Sequence, residues 1–263
     1  MVQIDVLIHG FPGRAVCHGG LGWSTIALLR GQGKTILLDT GAFGVRKPLR
    51  RQLLDRGVAP EDVTDVVLTH LHYDHSVNFT LFPGARVWVG SEELAWGLSQ
   101  PPEFGPLPEL YVRELSTHPR LHPLKDGDEV MPGLRAIASP GHTPGHLIYH
   151  LTSSEVPAIF TGDAAKNRAE LLSRDVIDTD DRPSSVRSVQ IIWDLWRAAP
   201  GTLLVPGHDL PMKLDAAGQP VYVAEREASI MTWFSESLAH PTFVDLCAGG
   251  GKLFTARIAS SQP

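Results

Sequence analysis

Four segments of this chain combine a short β-type run with a turn that carries a histidine or an aspartate. They are "LTHLHYDH", "SPGHTPGH", "IFTGDA" and "LLVPGHD". The ends of strands place short polar side chains at the rim of a sheet, where several of them can converge. This recurrence predicts one shared site at the edge of a sheet, assembled from parts of the chain that lie far apart in sequence.

The first segment places three histidines and an aspartate within residues 70–75. His70 and His72 are two residues apart, so in an extended segment they face the same side. Asp74 and His75 follow where the chain turns, so they can point to a second position nearby. The spacing therefore predicts that His70 and His72 bind one metal ion and that Asp74 and His75 bind a neighbour.

Each predicted metal ion needs further ligands, and the other three segments offer His142, Asp163 and His208. Asp163 could bridge two ions because a carboxylate has two oxygens. Nitrogen and oxygen ligands without thiolate suit zinc and also tolerate iron, manganese or cobalt. We therefore expect two divalent metal ions as cofactors, with zinc as the first choice.

The composition is that of a globular protein with a sizeable core. Of the 263 residues 43% are hydrophobic, and the net charge of -6 gives no electrostatic footprint for nucleic acid. Cys17 and Cys247 lie far apart and fit a reducing compartment. No signal peptide is visible and no apolar run is long enough to span a membrane. These features predict a cytoplasmic protein that acts on a small molecule, with no nucleic-acid or membrane partner.

Short β-type runs alternate with helical patterns along the chain, which indicates a mixed α/β fold. Residues 100–123 are rich in proline and favour a long loop or lid. A last helix is predicted over about 221–239. We expect a single domain over residues 1–240 and a flexible tail over 241–263.

One further helix is predicted from "SSVRSVQIIWDLWRAAP", with a serine cap at its start. Its apolar residues at helical spacing predict one buried face, formed by Val186, Val189, Trp193 and Trp196.

The metal-type residues resemble the motifs of the metallo-β-lactamase fold superfamily in order and approximate spacing. The resemblance runs from "LLDTG" to "PGHD", over roughly residues 36–209. It implies a four-layer αββα sandwich with the metals at one edge of the two sheets. It also implies a first metal held by His70, His72 and His142, and a second held by Asp74, His75 and His208. Asp163 would bridge the two.

Three other residues near these motifs are not predicted to bind metal. Asp39 in "LLDTG" resembles the family's carboxylate that orients a ligand imidazole. His146 at the end of "GHTPGH" is expected to support or pack rather than bind metal. The role of His18 in the loop "GRAVCHGGLGW" is open.

Two adjacent cations lower the pKa of a bound water and supply a metal-bridging hydroxide as nucleophile. The second metal can polarise a carbonyl and hold the developing oxyanion, and Asp74 is expected to accept a hydrogen bond from the hydroxide. This chemistry suits lactones, esters, thioesters, amides and phosphodiesters, so the metals alone do not define the substrate.

The best resemblance within the superfamily is to the lactonase-like branch, which includes the N-acyl homoserine lactonases, and it implies a lactone or ester substrate. Those lactonases carry a tyrosine three residues after the bridging aspartate, where this chain has Lys166. A lysine there could donate to an oxyanion, bind a substrate carboxylate, or simply lie at the surface.

Alternatives remain open beside the lactonase reading. They are a glyoxalase II-like thioesterase, a β-lactamase-type amide hydrolase, a persulfide dioxygenase with one iron, and a metal-free binding module. The last helix lacks the basic cluster of the thioesterases, and "AAKNRAELLSRD" is a poor match to the dioxygenases.

The family resemblance implies that the loop at 10–23 and the proline-rich stretch at 100–123 flank the strand ends that carry the predicted metals. We expect an apolar wall that would bind the acyl or aromatic arm of a neutral or singly charged carbonyl substrate, formed by Phe11, Trp23, Phe104, Leu107 and Tyr111. The same residues could instead form the interface of a homodimer.

Overall fold

The computed structural model describes residues 1–15, 17–247 and 253–255. The chain divides into two compact units, Met1–Val223 and Ala224–Pro263. The first unit contains every residue expected to bind metal. Among the described residues, no helix is both long and apolar enough to cross a membrane.

The first sheet of the larger unit has six strands in chain order. They are β1 (Gln3–Ile8), β2 (Ile26–Gly31), β3 (Lys34–Leu38), β4 (Asp65–Val67), β5 (Arg86–Gly90) and β6 (Leu121–Leu124). Strands β1 to β3 are antiparallel, and β3 to β6 are parallel. Because parallel strands end at the same edge, the segments that follow β3 and β4, "LLDTG" and "LTHLHYDH", emerge side by side.

The second sheet has seven strands in the order β13-β12-β11-β10-β9-β8-β7. They are β7 (Glu129–Met131), β8 (Leu134–Ala138), β9 (Leu147–Leu151), β10 (Ala158–Gly162), β11 (Leu203–Pro206), β12 (Met212–Leu214) and β13 (Pro220–Tyr222). Strands β10 and β11 are parallel, and β9 is antiparallel to both β8 and β10. The β8–β9 turn and the ends of β10 and β11 therefore lie at one edge, and they carry the other three motif segments.

In the described part of the chain six α-helices accompany the sheets: α1 (Arg46–Leu54), α2 (Tyr73–Ser76), α3 (Ser91–Ser99), α4 (Glu109–Ser116), α5 (Arg168–Ser173) and α6 (Arg182–Ala198). Alternating strand residues point to opposite faces of a sheet. In β2, Leu28 packs in a core shared with Leu49 of α1, whereas Leu29 packs in the core between the sheets. A third core joins the second sheet to α5 and α6 through residues such as Ile159 and Trp196. Three cores between four layers make the expected αββα sandwich.

The prediction of an unstructured lid over residues 100–123 is wrong for its second half. That stretch contains α4 and the beginning of β6. Leu107, Val112 and Leu115 are buried in the core beneath the first sheet. The prolines of this stretch favoured a loop in the sequence analysis over the helical spacing of these apolar residues. Pro106 and Pro108 in fact both precede the helix, so they do not interrupt it.

The predicted helix after residue 181 exists, but its cap and one residue of its buried face differ. Asp181, not a serine, precedes the helix and accepts a hydrogen bond from the Ser184 backbone. Val186 is 38% exposed. The buried face instead includes Ile192 next to the two tryptophans.

The helix expected over 221–239 is wrong. Residues 220–222 form β13, in which Val221 pairs with Lys213 of β12. Pairing with a neighbouring strand outweighs the local helix preference of the Ala- and Glu-containing segment that follows.

In the second unit, strands β14 (Ser229–Thr232), β15 (Thr242–Asp245) and β16 (Leu253–Thr255) form an antiparallel sheet. The tail expected from residue 241 thus contains two of these strands. Its residues 248–252 and 256–263 lie outside the described part of the chain.

Candidate metal centre

The side chains predicted to bind metal lie together at one edge of the two sheets. The donor atoms of His70, His72 and His142 lie within 4.8 Å of one another, and we call this group the first triad. The same limit holds for Asp74, His75 and His208, the second triad. His70 and His72 follow β4, α2 carries Asp74 and His75, His142 lies in the β8–β9 turn, and His208 follows β11.

Asp163 lies between the two triads, directly after β10. Its Oδ2 atom is 3.3 Å from Nε2 of His142 in the first triad. Its Oδ1 atom is 3.2 Å from Nε2 of His75 and 3.2 Å from Nε2 of His208 in the second. One carboxylate oxygen therefore faces each triad, which is the arrangement that a bridging ligand requires.

Glycine is required around Asp163 for space. A Cβ atom at Gly207 would lie 2.4 Å from Oδ1 of Asp163. Gly162 has a φ of +47°, and a Cβ atom there would lie 2.7 Å from Cβ of Thr69. The glycines of "TGD" and "PGHD" thus let the two strand ends approach the first sheet closely.

Hydrogen bonds define which nitrogen of each ring faces the centre. Nδ1 of His75 lies 2.8 Å from Oδ2 of Asp39, and Nδ1 of His142 lies 3.0 Å from the Asp178 carbonyl. Both oxygens can only accept, so both Nδ1 atoms carry a proton, and Nε2 is the atom of each ring that is left to bind a metal at the centre.

His70 is oriented in the same way through a hydroxyl. Thr69 donates its hydroxyl proton to Asp39 at 2.9 Å and lies 3.0 Å from Nδ1 of His70. Because the hydroxyl proton is already used, the oxygen accepts from Nδ1, and Nε2 of His70 is left as an acceptor.

Two buried atoms at the centre fit a cation. Nε2 of His70 has no hydrogen-bond partner among the described residues, and neither does Oδ1 of Asp163. Oδ1 of Asp163 lies 3.2 Å from Nε2 of His75 and 3.2 Å from Nε2 of His208, two ring nitrogens that can themselves bind a cation. Buried polar atoms rarely lack partners, and a divalent ion would satisfy both. The donor set of imidazoles and carboxylates therefore fits the expected metals.

The pKa values divide the histidines into two groups. Burial lowers the pKa of His70 and of His142 well below the ordinary value, and it lowers that of His72 to about 4. These rings are neutral and ready to bind metal. Burial also opposes a charge on His75, but Asp163, Asp39 and Asp74 together raise its pKa well above the ordinary value. The carboxylates that favour a proton on His75 also favour a metal cation in its place.

His146 supports Asp163 and does not belong to either triad. Its Nε2 atom accepts a hydrogen bond from the Asp163 backbone at 3.0 Å, and its Nδ1 atom lies 2.8 Å from the Ser139 hydroxyl. Burial lowers the pKa of His146 to about 3, so the ring is neutral and can accept.

Lys166 is anchored at two points beside the centre. Its Nζ atom lies 3.0 Å from Oε1 of Glu170 and donates to the Ile177 carbonyl at 2.8 Å. The side chain is only 13% exposed, so Lys166 is not a free surface lysine. Since Lys166 also lines the cavity above the metal centre, its third N–H remains for a ligand.

A cavity of about 600 Å³ opens above the two triads. Of the five apolar residues expected in its wall, Phe11 and Phe104 line it. The other three do not, because Trp23 stacks behind Phe11, Tyr111 packs on Phe43, and Leu107 is in the core. Further apolar lining comes from Pro12, Leu21, Tyr73, Pro106 and Ile177. His18 is exposed and does not line the cavity.

Two groups that support the first triad were not predicted from the sequence. The Asp178 carbonyl orients His142, and Asp178 has a φ of +52°. Glu93 is a buried carboxylate beneath the first triad. Its one sequence signal is its helical spacing to Trp96 and Gly97, which marks the inward face of α3.

Comparison with known proteins agrees with this architecture. A model of the metallo-beta-lactamase superfamily matches residues 19–208. Metallo-beta-lactamase domain-containing protein 1 of Homo sapiens is 29% identical over 208 residues, which cover 76% of this chain and 68% of the human protein. An N-acyl homoserine lactonase of a Bacillus species is 26% identical over 173 residues, or 64% of each chain.

Solved structures share the fold. A Thermotoga maritima protein assigned as a metallo-beta-lactamase superposes with a TM-score of 0.66 at 25% identity, covering 81% of this chain and 99% of that one. An N-acyl homoserine lactone hydrolase, with the product N-hexanoyl-L-homoserine at its catalytic metal centre, superposes with a TM-score of 0.64 at 17% identity, covering 79% and 92%. With its αββα sandwich, its His/Asp metal-binding cluster and a family match over most of its length, the chain belongs to the metallo-beta-lactamase superfamily of hydrolases.

Proposed function

We propose that this protein is a dinuclear metallohydrolase that opens a lactone or cleaves an ester. The observation that carries the proposal is the position of Asp163, which turns one carboxylate oxygen to each of two triads of nitrogen and oxygen donors. Zinc is the proposed metal because the donor set lacks thiolate and is rich in imidazole.

Two bound divalent ions would supply Lewis acidity and lower the pKa of a water molecule towards neutrality. The protein's own groups then orient the reactants. Asp74 lines the cavity, and its Oδ2 atom lies 3.4 Å from Nε2 of His208. We assign Asp74 to hold the attacking water through a hydrogen bond, which leaves no need for a serine or cysteine nucleophile.

Lys166 is the proposed donor to the substrate carbonyl oxygen. Glu170 and the Ile177 carbonyl hold two of its three N–H groups, so the ammonium cannot turn away from the cavity. A fixed donor stabilises the negative charge that develops on the carbonyl oxygen during attack. In this role Lys166 replaces the tyrosine of the lactonases that this chain resembles.

The cavity supports a small carbonyl substrate with an apolar arm. Phe11, Phe104 and Leu21 contribute apolar surface to its lining. Five of the proposed metal ligands contribute polar surface: His72, Asp74, His142, Asp163 and His208. The Bacillus relative is an N-acyl homoserine lactonase, which is consistent with an acyl lactone as the substrate. A small molecule is therefore proposed as the partner, rather than a nucleic acid or a membrane.

A substrate panel tests this proposal. Zinc-loaded protein would be assayed on lactones, aryl esters, thioesters, β-lactams and phosphodiesters, and kcat/KM compared. We expect lactones or esters to rank first. Phosphodiesters ranking first by a clear margin would overturn the carbonyl assignment, and thioesters or β-lactams ranking first would select one of the alternative hydrolases.

Metal analysis of the same preparation tests the chemistry independently. We expect close to two equivalents of divalent metal per chain. One equivalent of iron with oxygen-dependent turnover of a persulfide would overturn the hydrolase assignment in favour of a dioxygenase.

A further inference from the structure

Glu93 is a fully buried carboxylate that joins the two loops of the first triad. It lies in the first turn of α3 with 0% of its surface exposed. Its Oε1 atom accepts a hydrogen bond at 2.9 Å from the backbone of Leu71, the residue between His70 and His72. Its Oε2 atom accepts from the Thr143 hydroxyl at 2.6 Å, and Thr143 directly follows His142.

A third contact fixes the second loop against the helix. The Gly145 backbone donates to Oε2 of Glu93 at 3.2 Å. A Cβ atom at Gly145 would lie 1.9 Å from the Glu93 nitrogen, so this loop packs directly on the start of α3. Glu93 therefore contacts both loops at once, and it does so from behind, because it does not line the cavity.

A charge in this position is costly unless it is well bonded. Burial raises the pKa of Glu93 to about 7, although Thr143, Leu71 and Gly145 all favour the carboxylate form. Three donors from two loops compensate part of the desolvation. Among the hydrogen bonds of the described residues, those of the Glu93 carboxylate go to the loops of the first triad and not to residues of the second.

We propose that Glu93 is a positioning residue for the first triad. It holds the Leu71 backbone and the loop of Thr143 and Gly145 at the separation at which the nitrogens of His70, His72 and His142 converge on one ion. The second triad does not depend on it. This inference rests on the proposed dinuclear function, since it assigns Glu93 to only one of two metal positions.

The test compares Glu93→Gln with Glu92→Gln. Glutamine has nearly the shape of glutamate, but its amide nitrogen replaces one acceptor and would face a donor. Glu92 is the exposed neighbour on the same helix, and among the described residues its carboxylate makes none of the hydrogen bonds to the two loops that Glu93 makes. Its variant therefore carries the same change of charge without removing them. Zinc affinity of the full chain would be measured by competition with a chromophoric chelator.

Each variant would be placed in two backgrounds that leave one triad intact. In His208→Ala, which retains the first triad, Glu93→Gln should weaken zinc binding by about tenfold or more. In His142→Ala, which retains the second triad, Glu93→Gln should leave affinity unchanged within about twofold, and Glu92→Gln should be neutral in both. Equal losses in the two backgrounds, or no loss in either, would overturn the proposal.

Two further measurements keep the outcome decisive. If Glu93→Gln does not fold by circular dichroism, Thr143→Val removes one of the three hydrogen bonds with little change of shape, and it should weaken only the first triad. Failure of the proposed function would be recognised separately, because the unaltered chain would then not bind two equivalents of zinc.

Discussion

Asp163 shows how far a single side chain depends on its surroundings. Its two oxygens face different triads, its backbone is held by His146, and a glycine on the neighbouring strand end leaves room for it. Burial would raise its pKa, but His208, His75 and His142 hold that pKa well below the ordinary value. The carboxylate therefore stays charged in a buried position, as its proposed bridging role requires.

We expect Asp163→Asn to impair hydrolysis more than His146→Gln. The amide leaves one triad without an anionic oxygen, whereas the loss of His146 disturbs only the support of the Asp163 backbone. Changing a residue that supports the metal ligands typically lowers metal affinity or activity by about 10- to 100-fold. The loss in kcat/KM for Asp163→Asn should exceed that range. Equal and small effects of the two changes would show that Asp163 does not bridge.

Lys166→Met should lower kcat by about 10²- to 10³-fold, as the loss of an oxyanion donor does elsewhere, while metal content stays at that of the unaltered chain. Glu170→Gln is the matched control because it removes the ion pair but leaves the ammonium. Because Glu170 also helps to hold the ammonium, Glu170→Gln should lower kcat less than Lys166→Met does, and no loss of kcat in Lys166→Met would refute the donor role.

At the scale of elements, the strand ends explain why ligands from distant segments meet. Parallel pairing brings the ends of β3 and β4 to one edge of the first sheet and those of β10 and β11 to one edge of the second. The helices contribute through residues in or near their first turns. The first turn of α3 places Glu93 behind the two loops of the first triad, and α2 carries Asp74 and His75 of the second triad.

The burial of Glu93 predicts a pH dependence of stability. Its pKa is about 7 in the folded chain, against 4.5 for an ordinary glutamate. Between these values the folded state binds more protons than the unfolded state, so the free energy of unfolding falls as pH rises through this window. From pH 4.5 to pH 7 this decrease in the free energy of unfolding amounts to about 3 kcal/mol.

Urea unfolding of metal-free protein at pH 5 and pH 7.5 checks this sign. The stability of the unaltered chain relative to Glu93→Gln should be greater at pH 5 than at pH 7.5, because glutamine has no charge to bury. The same comparison with Glu92→Gln should not vary with pH. A difference that grows towards pH 7.5 would contradict the raised pKa.

For the whole molecule, the metal centre links the two sheets. His70 and His72 leave the first sheet, whereas His142, Asp163 and His208 leave the second. An ion shared by both groups should stabilise the sandwich against unfolding, since it binds the folded state and not the separated ligands.

Removal of metal should therefore lower Tm as well as activity. At a free zinc concentration about 100 times Kd, binding contributes about 2.7 kcal/mol, which corresponds to roughly 5–10 °C for a chain of this size. His72→Ala should lose both metal and activity, and His118→Ala, outside both triads, should lose neither. A chelated preparation that remains folded and fully active would refute the metal mechanism.

The sequence by itself determined the donors and the places where they occur. Histidine and aspartate at the ends of β-type runs are local patterns, and so are the alternating apolar residues that build the strands. Spacing alone assigned His70 and His72 to one predicted metal position and Asp74 and His75 to another, because the direction of a side chain follows from backbone geometry. The family resemblance supplied the order of the layers.

Only the tertiary structure decided which distant groups meet. Glu93 and Thr143 are 50 residues apart, and although the helical spacing of Glu93 to Trp96 and Gly97 marks an inward face of α3, no local pattern shows which loops that face meets. The segment after residue 220 forms strands rather than the expected helix because it can pair with a strand, and Trp23 and Tyr111 pack on other aromatics instead of lining the cavity. Local propensities amount to tenths of a kcal/mol per residue, whereas burial of one large side chain contributes about 1.5–3 kcal/mol, so long-range packing decides where the two disagree.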